Sequence, residues 1–165
     1  MSHLQAKFND LKNRVINTFG NVVYPKGFIT EHACEECFAV RKTFLNKDWK
    51  QITPKILQEN YDKLPLFSPE AFHSFYPAYL IYSLEHFTED EVSDFVVYNL
   101  MVGSKEISEK TEYLERRFQH FTKTQLNLVL EFIDLIIQSG EYEFDISGIN
   151  NGKQTLLKLV ELKLS

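Results

Sequence analysis

Few of the features that announce a familiar chemistry are present in this sequence. Its six glycines are scattered and form no Gly-rich phosphate-binding fingerprint, which removes the common nucleotide-binding loops. Only two cysteines occur, Cys34 and Cys37. A disulfide framework needs more, and a zinc finger or ribbon needs a second ligand pair. Basic charge is not in excess: 18 Lys and Arg stand against 23 Asp and Glu, for a net charge of −5 and a pI of about 5.6. The electrostatic footprint of a nucleic-acid binder is therefore missing. No stretch approaches the roughly 18 apolar residues of a membrane span. Residues 1–19 are charged throughout and contain no secretory h-region. The expectation is a cytoplasmic protein with reduced thiols, with neither a membrane nor a nucleic acid as partner.

What is present is apolar and aromatic. Hydrophobic residues make up 44% and charged residues 25%, ordinary values for a globular chain. There are 14 Phe and 8 Tyr against one Trp, so the core is expected to be rich in rings, which bury large areas each. A length of 165 residues suits one domain with one core, spanning residues 1–165.

Helical periodicity dominates. Leu4, Phe8, Leu11, Val15 and Phe19 mark one buried face of a first helix, ended by Gly20. Thr30 followed by Glu31 predicts the start of a second helix running to about Leu45. Thr53 and Pro54 open a third, to about Lys63. Ser68, Pro69 and Glu70 open a fourth, which Pro77 is expected to kink or break near Tyr76. Residues 78–87 are the best candidate for a central helix. Residues 88–91 read as a capping box for a helix ending before Gly103. A loop is expected over 104–111, then a short helix over 112–121. Thr122 and Gln125 form a further capping box, whose helix stops at Gly140. Residues 141–151 read as a loop, and a last helix covers 154–164. Short extended pairings are expected only near 22–24 and 142–146. The predicted fold class is all-α, an irregular multi-helix bundle of about seven to nine helices with little or no strand.

Three groups of residues invite a functional reading. His32, Cys34 and Cys37 offer imidazole and thiolate, the usual zinc ligands, and a Cys-x-x-Cys spacing puts both thiols on one helix face. A fourth ligand would have to come from elsewhere, such as His73 or His120. The plain alternative is two buried cysteines acting as small apolar residues. The same pair is also the spacing of redox dithiols, although Glu35 and Glu36 between them are expected to raise a thiolate's pKa. Serines near histidines in sequence, Ser74 and Ser83, sit in no nucleophile motif. Lys110, Arg116, Arg117 and Lys123 interleave with Glu112 and Glu115 and read as a solvated, salt-bridged face. Finally, Phe72, Phe75, Tyr76, Tyr79 and Tyr82 recur at helical spacing, more rings than one buried stripe holds. Some are therefore expected at the surface, and Tyr76, Tyr79 and Tyr82 with the acidic Glu89, Asp90 and Glu91 form the expected partner-binding surface.

Several segments together resemble an uncharacterised bacterial family known only as a domain of unknown function. They are the His-x-Cys-x-x-Cys of residues 32–37, Lys47 to Trp49, the Leu-Pro-Leu-Phe-Ser-Pro-Glu-Ala-Phe block of 64–72 and the Tyr-Pro-Ala-Tyr-Leu of 76–80. Arg117, Phe118, Thr122, Gln125 and Phe132 extend the likeness towards the C-terminus. The resemblance implies no reaction. The leading expectation is a protein-binding module without catalysis or cofactor, for example an immunity or antitoxin-like protein masking a basic toxin surface. The alternative is a metal- or thiol-dependent enzyme centred on His32, Cys34 and Cys37, with zinc as the candidate metal. A third reading is a homodimer assembled through the Tyr-rich helix.

Overall fold

Eight α-helices account for most of the chain in the computed structural model, which describes residues 1–103 and 107–163. They are α1 (His3–Thr18), α2 (Glu35–Phe44), α3 (Pro54–Glu59), α4 (Pro69–Glu85), α5 (Glu91–Tyr98), α6 (Ile107–Arg117), α7 (Lys123–Ser139) and α8 (Ile146–Leu162). Single 3-10 turns lie at Trp49–Gln51, Leu64–Leu66 and Glu143–Asp145. The described residues contain no strand, only an antiparallel bridge between Thr30 and Phe67. The fold is thus the all-α bundle that the periodicity predicts. Residues 104–106 of the expected loop, and Leu164 of the expected last helix, lie outside the described residues.

Helix α4 is the axis. It packs against α1, α3, α5, α6 and the Trp49–Gln51 turn, and only Glu70, His73, Ile81 and Glu85 are not buried. A helix that is apolar all round belongs inside a protein. Pro77 sits in its middle, yet the helix runs unbroken from Pro69 to Glu85, so of the expected kink or break the break does not occur. Proline takes away the donor that would meet the His73 carbonyl. Burial of Tyr76, Pro77 and Ala78 on every side outweighs that local loss. Around this axis, α1 buries Phe8, Leu11 and Val15 against α4 and α7, and α8 closes the bundle against α6 and α7.

The helix starts show where local signals are decisive. Ser2, Thr53, Ser68 and Thr122 accept backbone N–H groups as N-caps, and Thr122 with Gln125 forms the full reciprocal box. Gly140 ends α7 in the left-handed region at φ 73°, which costs glycine nothing. Four helix starts differ from expectation, and one is α6, which begins at Ile107 inside the loop expected over 104–111. Helix α5 is capped by Asp90, because Thr88 adopts φ 62° and cannot take the extended backbone an N-cap needs. Helix α2 is capped by Cys34, because Thr30 is held in the bridge to Phe67. Helix α8 begins at Ile146, within the expected loop. Its Gly148 and Gly152 make room for the segment after α5. Val102 N–H donates to the Gly148 carbonyl at 2.9 Å and Asn151 Nδ2 to the Val102 carbonyl at 3.0 Å.

Two predictions test this packing. A Cβ on Gly152 would lie 1.7 Å from the Leu100 carbonyl oxygen, and backbone cannot step aside as a side chain can. Gly152→Ala should cost about 3 kcal/mol or more in urea unfolding, and a loss below about 1 kcal/mol would show that α8 can shift. The second concerns two buried tyrosines of α4. Tyr79 donates its hydroxyl to the Asn60 carbonyl at 2.8 Å, whereas the Tyr76 hydroxyl has no partner among the described residues. Tyr79→Phe should lose about 1 kcal/mol, while Tyr76→Phe should be neutral or stabilising. Equal losses in the two variants would mean that the Tyr76 hydroxyl is in fact satisfied.

Candidate functional site

The residues expected to form a partner surface are mostly inside. Tyr76 and Tyr79 have 0% of their surface exposed and Tyr82 has 4%. Tyr76 packs its ring on Phe72, Phe118 and Phe121, with centroids 5.0, 5.4 and 5.6 Å away. Burial pushes the hydroxyl pKa of both Tyr76 and Tyr79 far up. Tyr82 donates to the Asp90 carboxylate and accepts from Gln58 Nε2 at 2.9 Å. The expected surface, and a homodimer through this helix, are corrected accordingly: the rings point in several directions because α4 is enclosed on several sides. The acidic run is partly structural too. Asp90 caps α5 through the Val92 N–H at 3.0 Å, and Glu89 bonds His86 Nδ1 at 2.8 Å. Glu91 remains exposed.

The histidines and serines do not pair. Ser74 donates to the Val23 carbonyl at 2.8 Å and Ser83 to the Tyr79 carbonyl at 2.9 Å. His73 Nε2 bonds Gln125 Oε1 at 2.9 Å, and burial lowers its pKa, holding it neutral. The oxygen it meets already accepts the Thr122 N–H, so His73 is the donor. The basic face also divides. Arg116 pairs with Glu31 across a groove also lined by Phe28, Glu70 and His120, not with the glutamates of its own helix. Arg117, expected to be solvated, is 6% exposed and donates to the Pro65 carbonyl at 2.6 Å.

Cys34 and Cys37 are brought together, and His32 is not joined to them. Among the described residues, no group of three or more His, Cys, Asp or Glu side chains converges as metal ligands do. The thiols instead form a turn. Cys34 is the N-cap of α2, with extended backbone at φ −104° and ψ 167°. Its Sγ accepts the Cys37 N–H at 3.3 Å, and its carbonyl accepts the Phe38 N–H at 2.9 Å. Cys34 is exposed and Cys37 is buried. The Cys37 thiol hydrogen-bonds the Cys34 sulfur and lowers its pKa, and backbone N–H groups of Cys37 and Glu36 add to the effect. For Cys37 the same bond acts in reverse: its proton is held by the Cys34 sulfur, and burial and the neighbouring charge push its pKa further up.

The expectation that Glu35 and Glu36 would make a thiolate unfavourable is thus corrected for Cys34. Donors that point at the sulfur from the first helical turn win, and Glu36 is engaged by Lys63. Beyond Cys34 runs a stripe of side chains along α2. Phe38 is 63% and Leu45 54% exposed, and the Arg41 guanidinium lies 5.9 Å from the Phe38 ring centroid. Spacings of four, seven and eleven residues from Cys34 align all of them on one face. Cys37, Val40 and Phe44 form the adjoining, buried face, with Phe44 5.0 Å from both Phe67 and Phe75.

Sulfur is a weaker acceptor than oxygen, so Cys34 is a poor choice of cap on stability grounds alone. Cys34→Ser should raise the thermal midpoint slightly and Cys34→Ala should lower it, measured by circular dichroism. A serine variant less stable than the alanine variant would show that the capping bond is unimportant.

No curated protein and no solved structure matches the chain. A family model described as a family of unknown function, DUF6714, matches residues 24–149. That span takes in the dithiol turn, all of α2 to α7 and the first turn of α8, with α1 outside it. The chain belongs to this family of unknown function, DUF6714.

Proposed function

We propose that the protein is a binding module for another protein, and that it docks through the outer face of α2. The observation that supports this most is the second apolar stripe on a short helix. The inner face of α2 already anchors it through Cys37, Val40 and Phe44, so Phe38 and Leu45 contribute little to folding. Large exposed apolar groups in a row are the usual mark of an interaction site. Arg41 against the Phe38 ring adds a residue type favoured at interface centres.

Charge gives the partner its character. The stripe starts beside the exposed Glu35 and Glu36, and the whole chain carries −5. A partner with an apolar strip edged by basic side chains is complementary, and its approach is accelerated at low salt. An immunity or antitoxin-like role, masking a basic surface, is the concrete form of this reading. It requires neither catalysis nor a cofactor. Both thiols are free, which suits the reducing cytoplasm, and no described helix is long and apolar enough to cross a membrane.

The test uses the tagged full chain and a Phe38→Ser, Leu45→Ser double variant as baits in lysate of the native host. Proteins retained by the first and lost from the second are purified, and their affinities for both baits are measured by titration calorimetry. Binding should weaken by about tenfold or more in the variant, as for loss of a central anchor, with an unchanged circular dichroism spectrum. Equal affinity for both baits would overturn the reading, as would a wild-type bait that retains nothing.

A further inference from the structure

The dithiol turn carries features that neither packing nor docking uses. Ser2, Thr53, Ser68, Asp90 and Thr122 cap their helices through oxygen; among the described N-caps of the α-helices, that of α2 alone uses sulfur. Three residues on comes a second, buried cysteine, whose backbone N–H donates to the exposed sulfur at 3.3 Å. Next to the second lies Thr30, 2% exposed. Its hydroxyl has no hydrogen-bond partner among the described residues, and it lies near enough to Cys37 to favour that thiolate. Folded proteins rarely leave a buried hydroxyl so placed. Here it stands ready for an anion on Cys37.

We infer that Cys34 and Cys37 are a redox-active dithiol, with Cys34 the attacking thiolate and Cys37 the resolving thiol, oxidised by low-molecular-weight disulfides of the glutathione class. The dithiol stands whether or not α2 docks a partner.

The steps follow from the contacts. The Cys34 thiolate attacks one sulfur of the small disulfide. A bond forms between Cys34 Sγ and that sulfur, the original S–S bond breaks, and one small thiolate leaves. This discharges Cys34. The anionic sulfur that held the Cys37 proton in place is gone, so the change that creates the mixed disulfide also frees the group that resolves it. Cys37 passes its proton to the departing thiolate, and the Thr30 hydroxyl donates to the new anion. Cys37 Sγ then attacks Cys34 Sγ and expels the second small thiolate, which takes a proton from water. One external disulfide is reduced to two thiols, two protein thiols become one disulfide, and two electrons are transferred.

Intact-mass spectrometry after acid quenching tests this on the full reduced chain exposed to oxidised glutathione. The wild type should lose two hydrogens and keep no adduct, and peptide mapping should find Cys34 joined to Cys37. Cys37→Ala, which keeps the buried position apolar, should accumulate one glutathione adduct on Cys34. Cys34→Ser, whose oxygen preserves the cap, should stay unmodified. The attack on Cys34 in the wild type, followed as loss of the reduced chain, should run at least about tenfold faster at pH near 6 than on an unstructured cysteine peptide, and more slowly in Cys37→Ala, which lacks the donor thiol. A stable adduct on the wild type, no oxidation at all, or equal modification of Cys34→Ser would overturn the inference. Should Cys37→Ala fail to fold, the time course of the wild type decides the matter, because a transient adduct must precede the internal disulfide.

Discussion

The burial of α4 around its whole circumference is the constraint from which the rest of the bundle follows. A helix with apolar residues on every side needs a shell, and here α1, α3, α5, α6 and the Trp49–Gln51 turn supply it. The shell is stitched by groups whose only role is to close it. Trp49 Nε1 donates to the Phe19 carbonyl at 3.1 Å and Lys50 Nζ to the Gly20 carbonyl at 3.0 Å, tying the turn to the end of α1. Ring packing completes the enclosure: Phe72, Tyr76, Phe118 and Phe121 touch one another across α4 and the end of α6. Local costs are accepted inside it. Proline stands in mid-helix, one tyrosine hydroxyl is left unpaired, and Arg117 has two guanidinium nitrogens without partners among the described residues.

How far the fold was legible depends on whether a signal is local. Thr122 with Gln125, Ser68 before Pro69, Thr53 before Pro54 and Gly140 all act within one helical turn, and each works as its chemistry suggests. Where two local signals compete, tertiary structure decides. Thr88 and Asp90 are both good caps, and the hydrogen bond from Tyr82 to Asp90 helps to select the second. Gly148 and Gly152 look like loop residues in sequence, but they are spacers on a helix face against which the 100–102 segment lies. The aromatic stripe was misjudged for a related reason. Counting rings against one buried face assumes that a helix has one, and α4 does not.

The site was legible in its parts and not in its polarity. Cys-x-x-Cys spacing puts the thiols together, and the structure agrees. The charges of Glu35 and Glu36 are visible in the sequence and argue against a thiolate. The Cys37 thiol and the N–H donors that favour it are not visible until the cap is known to be Cys34 itself. Likewise, α2 carries two apolar stripes, Cys37–Val40–Phe44 and Phe38–Leu45, with equally good periodicity. Nothing local says which is inside; the Phe67 and Phe75 rings do.

The notch at Gly152 has a consequence for how the chain assembles. With the Leu100 carbonyl set where a side chain would otherwise begin, α8 can seat in one rotational and axial setting only. A slip by one residue would drive Asn151 or Lys153 into backbone. Helix α8 also bridges α6 and α7, so that single setting fixes the phase of both, as one keyed shaft fixes the gears it carries. The second half of the bundle is therefore expected to lock together in one step, with the notch as its register mark.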